Sequence, residues 1–233
     1  MLSDPDPDPA PRYTFPMPSY AATVTEIEEL APSVVQITVA FDDDTFSFEP
    51  GQWVNFRFPD GISRAYTIAS APHRTQAVQL CVRVGSGRGG KALTKLDAGA
   101  HVTIEGPYGD FLLPENDGRP LIFMAGDTGI APVRSIVLSM LANHDPRPIC
   151  VLYEPDQRNI LYAADFDPLA RDGAIRHESG KIETLIARNR KLIPAATVMV
   201  AGFDPFIDRV VDSLRENAID TKNLISETFG GMP

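Results

Sequence analysis

The chain has 233 residues, enough for one large domain or two small ones with real cores. Its net charge of −10, from 31 acidic and 21 basic residues, disfavours sequence-independent nucleic-acid binding, and no basic cluster marks a membrane surface. Two cysteines cannot supply the four thiolates of a plant-type 2Fe–2S cluster, and His73, His101, His144 and His177 are too scattered to read as a metal site.

In chain order, residues 1–18 repeat Asp-Pro pairs and read as a disordered tail. MLSDPDPDPAPRY has neither a basic nor an apolar segment, so no secretory signal is expected and the cytoplasm is the expected location. No apolar run approaches the roughly 20 residues that span a bilayer. ATVTEIEEL and SVVQITVAF alternate apolar and polar residues, as strands do. FSFEPGQWVNFRFPDG gives two more strands, broken at Pro50-Gly51 and Asp60-Gly61, and AVQLCVRV and HVTIEGPYG complete the set. About six short strands with frequent turns predict a small antiparallel barrel.

ENDGRP, at 115–120, is a polar joint, after which strands and helices alternate. PLIFMAG, PICVLY and ATVMVAG read as buried strands. APVRSIVLSMLANH, ETLIARN and FIDRVVDSLREN read as helices, the first with Val133, Ile136, Val137, Met140 and Leu141 on one face. This alternation predicts a parallel sheet covered on both sides, with a boundary near residue 117.

Four stretches carry chemistry, each with a plain alternative. GDTGIAP (126–132) joins a strand to a helix start, where backbone N–H groups favour an anion; the alternative is a tight turn without a ligand. AGFDP (201–205) has the same context, and the two loops can line one crevice beyond the strand ends; the alternative is an ordinary loop with Asp204 capping the helix. GSGRGGKAL (85–93) is a flexible turn with Arg88 and Lys91, suited to a pyrophosphate or simply a long hairpin loop. RAYTIAS (64–70) places Arg64, Tyr66 and Ile68 on one strand face: a phosphate fork and a flat ring, or a surface strand with a snorkelling arginine.

Five motifs in order resemble the ferredoxin–NAD(P)⁺ reductase superfamily of flavoproteins, over roughly residues 20–229. FSFEPGQWVNF resembles its P-G-Q strand, RAYTIAS its R-x-Y-(S/T)-x-x-S flavin motif, and GPYGDF its G-P-(F/Y)-G-x-F hairpin. AGDTGIAP resembles its A-G-G-T-G-I-A-P loop and ISETF its terminal E-x-F. The resemblance implies an antiparallel FAD-binding β-barrel over 19–117 and a Rossmann-like α/β NAD(P)-binding domain over 118–233. It also implies an enzyme that takes hydride from NAD(P)H onto FAD and passes electrons singly onward.

By the same resemblance, Arg64 pairs with the FAD pyrophosphate, Tyr66 packs on the isoalloxazine and Thr67 hydrogen-bonds near its reactive edge. Ser70 closes the motif, Val82, Arg83 and Val84 form the next contacting strand, and Gly89, Gly90 and Lys91 form the phosphate turn. Gly126, Thr128, Gly129 and Pro132 shape the nicotinamide site, Gly202 and Pro205 help hold the dinucleotide, and Glu227 and Phe229 lie near the flavin. Tyr66, Thr67 and Phe229 are thus the residues expected beside the redox chemistry. The implied acceptor is separate: a ferredoxin, a Rieske or oxygenase component, or free flavin, met by a basic face of Arg83, Arg88, Lys91 and Lys95.

The sequence also departs from the family. Asp127 stands where a second glycine is usual, Ala201 and Phe203 replace residues of the C-G-P loop, Gly90 replaces Ser or Thr, and YEPDQRN replaces Y-G-x-R. Glu154 and Asp156 argue for NADH over NADPH, against Arg158 nearby. The altered nucleotide loops leave a second expectation: an FAD-binding electron-transfer or regulatory subunit that does not itself oxidise NAD(P)H.

Overall fold

The computed structural model describes residues 17–42, 44–72, 77–156 and 159–230. Most of the expected N-terminal tail, together with His73, Arg158 and the last three residues, lies outside them. The chain divides into two compact units, between Asp110 and Phe111.

The first unit is a closed barrel of six strands: β1 (Ser19–Ala31), β2 (Val34–Phe41), β3 (Trp53–Arg57), β4 (Ser63–Ile68), β5 (Ala77–Arg83) and β6 (His101–Tyr108). They close in the order β1-β2-β5-β4-β3-β6, with every pairing antiparallel. Alternation places Val24, Ile37, Val39, Val54, Phe56, Ile68, Leu80 and Ile104 in the interior, all without solvent exposure. Closure leaves this sheet no unpaired edge.

Two expectations change here. FSF is not a strand: Phe46 stacks on Phe41 with centroids 4.2 Å apart and meets Tyr20 edge-on at 5.1 Å, so ring packing fixes it instead of a ladder. The glycine-rich GSGRGGKAL contains a short helix, α1 (Arg88–Leu93), whose Ala92 and Leu93 are buried in the barrel core. Burial of that apolar pair overrides the poor helix propensity of its two glycines.

The second unit is a five-stranded parallel sheet in the order β11-β10-β7-β8-β9. Its strands are β7 (Leu121–Gly126), β8 (Ile149–Glu154), β9 (Arg176–Ser179), β10 (Thr197–Gly202) and β11 (Ile225–Thr228). Its helices are α2 (Ile130–Ala142), α3 (Ala163–Arg171), α4 (Ile182–Asn189) and α5 (Asp204–Glu216). Ile122, Met124, Cys150, Leu152 and Val200 share a core with α4 and α5, while α2 packs against β7 and β10. Ten of the thirteen α2 residues are buried, on all sides of the helix rather than on one face, which is why its apolar stripe is so broad. Near the start of the unit, the buried Arg147 pairs with Asp145 at 2.6 Å and donates to the Pro114 carbonyl at 3.0 Å, fixing the segment that leads into β7.

The order of strands reverses at β7. The chain builds outward through β8 and β9, then returns to the other side of β7 for β10 and β11. The carboxyl ends of β7 and β10 therefore flank a topological switch point, where open α/β sheets bind ligands.

Candidate functional site

In the barrel, β4 holds the candidate residues of the first unit. Register places Arg64 opposite Phe56 and Tyr66 opposite Val54, both pairs on the inner face of the strand. The Tyr66 ring lies 5.8 Å from Phe56 and 6.3 Å from Phe58. Burial raises the Tyr66 hydroxyl pKa, only partly opposed by the Arg64 charge, so the ring remains a neutral phenol at physiological pH. Arg64 donates from Nη1 to the Ser63 carbonyl at 2.8 Å, and among the described residues no carboxylate pairs with it.

The glycine turn lies against this arginine. A Cβ added at Gly89 would stand 2.8 Å from Arg64 Nε, and one at Gly90 would stand 1.7 Å from the Gly85 carbonyl oxygen. The turn thus folds back on itself directly beneath the guanidinium. Arg88 and Lys91 flank it, both exposed and, among the described residues, without a carboxylate partner. In a chain of net charge −10, such a group of cations about a backbone no side chain could enter suits a bound diphosphate. Together with the buried phenol, these residues fit FAD.

Other expected residues take different positions. Thr67 is half-buried between Trp53 of β3 and Cys81 of β5. The Ser70 hydroxyl, buried, accepts the Gln79 N–H at 3.1 Å and closes the barrel beyond the end of β4. Val82 points into the core, so toward a ligand it presents only backbone; Val84 packs on the edge of that core and Arg83 is half-buried. The PGQW and GPYG motifs, distant in sequence, meet: Gln52 Nε2 donates to the Gly109 carbonyl at 3.3 Å, and the Trp53 ring stacks on Tyr108 at 4.6 Å. Trp53 and Tyr108 were not anticipated as a pair, since only the barrel register reveals it.

In the second unit the two nucleotide loops interlock. A Cβ at Gly126 would stand 2.5 Å from the Phe206 ring, one at Gly202 2.8 Å from the same ring, and one at Gly129 2.1 Å from the Ala201 carbonyl oxygen. Gly126 and Gly202 let the Phe206 ring lie directly on the loop backbone, and Gly129 lets the β7 exit pack backbone to backbone on the β10 exit. Thr128 and Pro132 are buried in the same turn, and Pro205 is exposed in the first turn of α5. Asp127 has φ +52°, a left-handed conformation that costs glycine nothing. It thus occupies a glycine-like conformation with a carboxylate.

Asp204 is not a hydrogen-bonding cap: it accepts a hydrogen bond from the Thr228 hydroxyl. That bond belongs to a lacing of the C-terminal strand onto the β10 loop. Phe229 N–H donates to the Gly202 carbonyl at 3.0 Å, Asp204 N–H donates to the Gly230 carbonyl at 3.0 Å, and Phe229 meets Phe203 edge-on at 5.7 Å. Glu227, half-buried, is the register partner of Ala201.

Glu154 ends β8. Its Oε2 accepts the Ile182 N–H at 2.6 Å, at the start of α4, and its carboxylate forms an ion pair with Arg209 of α5. Arg209 also donates to Glu183 at 2.9 Å. Its hydrogen bond with Glu154, opposed by partial burial and helped by both carboxylate charges, raises the Arg209 pKa further. Arg209 and Glu183 carried no sequence signal; both read as polar-face helix residues.

Among the described residues no group of three acidic, histidine or cysteine side chains could hold a metal ion, and no helix is long and apolar enough to cross a membrane. An arginine–tyrosine strand over a glycine turn, in a barrel followed by a parallel nucleotide sheet, defines a class: FAD-binding oxidoreductases. Residues 21–112 match the model of the oxidoreductase FAD-binding domain family. The chain is 32% identical over 166 residues to "Ferredoxin--NADP reductase B" of Sorangium cellulosum, covering 68% of each chain. It is 34% identical over 160 residues to "Phenol hydroxylase P5 protein" of Acinetobacter pittii, covering 66% of this chain but 44% of that one. The chain thus spans less than half the length of that relative. A crystal structure of a cytochrome P450 reductase from Amycolatopsis shares the fold, with a TM-score of 0.79 at 23% identity over 94% of this chain and 72% of that one. The chain belongs to the ferredoxin–NAD(P)⁺ reductase superfamily.

Proposed function

We propose that the protein is an FAD-dependent NAD(P)H reductase that prefers NADH and passes electrons to a separate acceptor. The observation that carries this reading is Arg64, which lies against Gly89 of the glycine turn and pairs with no carboxylate among the described residues. In the second unit, the interlocked glycine loops at the switch point support a dinucleotide site. When bound, FAD supplies the exchange between hydride-sized and single-electron chemistry, and the protein supplies binding and alignment.

On this reading Arg64, with Lys91 and the amides near Gly89 and Gly90, holds the diphosphate. Tyr66 offers its flat face to the ring system, and Thr67 offers a hydroxyl at the ring edge. The backbone of Val82, Arg83 and Val84 lines the cofactor, and Ser70 keeps β4 in register with β5. Gly126, Thr128, Gly129 and Pro132 shape the nicotinamide loop; Gly202 and Pro205 shape the facing one. Phe229 and Glu227, carried by β11, complete the set. No general acid or nucleophile is required of the chain, because orientation supplies most of the protein's contribution.

Glu154, at the end of β8, supports NADH as donor: its network with Arg209 and Glu183 has a net charge of about −1, which repels a 2′-phosphate. Both cysteines, Cys81 and Cys150, are buried and offer no cluster ligands, so the acceptor, a ferredoxin, Rieske or oxygenase component, or free flavin, lies outside these two units. Similarity to a ferredoxin–NADP reductase of Sorangium and to a phenol hydroxylase protein of Acinetobacter supports such an acceptor. Buried thiols also suit the reducing cytoplasm.

The test is an anaerobic titration of the purified yellow protein. Rapid bleaching of the flavin band by NADH, and slower bleaching by NADPH, is the expected result. A yellow protein that neither nucleotide bleaches would overturn the reading. It would favour the second one, an FAD-binding subunit that does not oxidise NAD(P)H, for which the left-handed Asp127 carboxylate at the nicotinamide loop is the specific observation.

A further inference from the structure

The following rests on the NAD(P)H reading above. In sheets of this order, the dinucleotide crosses the carboxyl edge and the residue ending the second strand meets the adenosine ribose. That residue is Glu154, the register partner of Gly126. A lone carboxylate there would accept hydrogen bonds from both ribose hydroxyls. Glu154 is instead engaged twice, by the Ile182 N–H at 2.6 Å and by the Arg209 guanidinium, whose Nη1 also reaches Glu183 at 2.9 Å. Arg209 lies 5.9 Å from the Phe206 ring, and that ring covers Gly126 and Gly202. The arginine thus reaches both nucleotide loops only through that ring, with its side chain 44% exposed.

We propose that Arg209 is a specificity-determining residue of the coenzyme site: a latent 2′-phosphate receptor, held out of use by Glu154 and Glu183. A guanidinium fork fits a phosphate as well as a carboxylate. What decides is the charge already on it. Two carboxylates and one guanidinium sum to about −1, and a 2′-phosphate adds nearly two further negative charges. Neutralising either glutamate brings the network to zero, neutralising both leaves the arginine's charge uncompensated, and removing the arginine deepens the negative charge. In Glu154→Gln the amide oxygen can still accept the Ile182 N–H, so the start of α4 keeps its partner. Glu183 is an exposed partner with no part in that contact, so Glu183→Gln tests the network without disturbing the strand end.

The experiment is calorimetric titration of ADP and of 2′,5′-ADP into the purified full-length flavoprotein, which reads the adenosine end without hydride transfer. Wild type should bind ADP more tightly. The ratio should shift toward 2′,5′-ADP by about tenfold in Glu183→Gln and in Glu154→Gln, and further in the double variant. Adding Arg209→Gln to the double variant should abolish the gain. If ADP still binds and the double variant leaves the ratio within twofold of wild type, the role of Arg209 is overturned and the donor reading stands. If neither fragment binds wild type or any variant, both fall together.

Discussion

Gly89 and Gly90 are neighbours in one turn, yet a methyl group at each would meet different matter. At Gly89 it meets the side chain of Arg64, with Nε at 2.8 Å; at Gly90 it meets backbone, the Gly85 carbonyl oxygen at 1.7 Å. A side chain can swing aside and a carbonyl inside a closed turn cannot. Gly89→Ala should therefore fold with stability within about 1 kcal/mol of wild type, but hold FAD about tenfold more weakly because Arg64 is displaced. Gly90→Ala should lose roughly 3 kcal/mol or more, because the turn itself must open. Urea denaturation and flavin titration of the two variants separate these effects; equal losses of stability would show that Arg64 is part of the turn's packing rather than a ligand residue.

At the scale of elements, the edge strand β9 carries a buried histidine. His177 is the register partner of Val151, its ring lies 5.2 Å from Phe166, and its Nδ1 is 3.8 Å from Asp167. Burial lowers its pKa below the usual 6.5, with Asp167 pulling weakly the other way. The folded state thus keeps a neutral imidazole while the unfolded chain takes up a proton near 6.5. Its contribution to stability is full above that pH and is lost as pH falls from there toward the folded value. Wild type should lose stability between about pH 7.5 and pH 5.5, and His177→Leu should lose measurably less, as urea midpoints at the two pH values will show. β9 itself was not legible in the sequence: RHES has no apolar alternation, and it is a strand because β8 lies beside it and α3 covers it. ISET, which forms β11, is hidden for the same reason. The strands that were legible, such as SVVQITVAF and PLIFMAG, bury side chains whose spacing already encodes their faces. α1 was obscured by glycines, and FSF, apolar at alternate positions, reads as a strand but packs as a ring cluster. For the site, RAYTIAS and both nucleotide loops were visible because backbone geometry demands glycines and a fork at fixed spacing. The engagement of Glu154 was not, since Ile182 and Arg209 reach it only through the packing of α4 and α5.

At the scale of the whole molecule, each unit has its own apolar core, and the glycine loops proposed for the FAD diphosphate and for the dinucleotide lie in different units. Ligand binding stabilises only the folded form that carries the site, by about 2.7 kcal/mol at a hundred times the dissociation constant. The sole tryptophan of the chain, Trp53, lies in the barrel against Tyr108, whereas α2, α3, α4 and α5 all belong to the second unit. Indole fluorescence therefore reports on one unit, and the circular dichroism of helices reports almost wholly on the other. Added FAD should move the fluorescence transition to higher urea and leave the dichroic one in place, while ADP should do the reverse; curves that shift together would mean that the units unfold as one. The single indole gives the molecule a built-in colour channel for its flavin half, so occupancy of the two halves can be followed in one cuvette without a label.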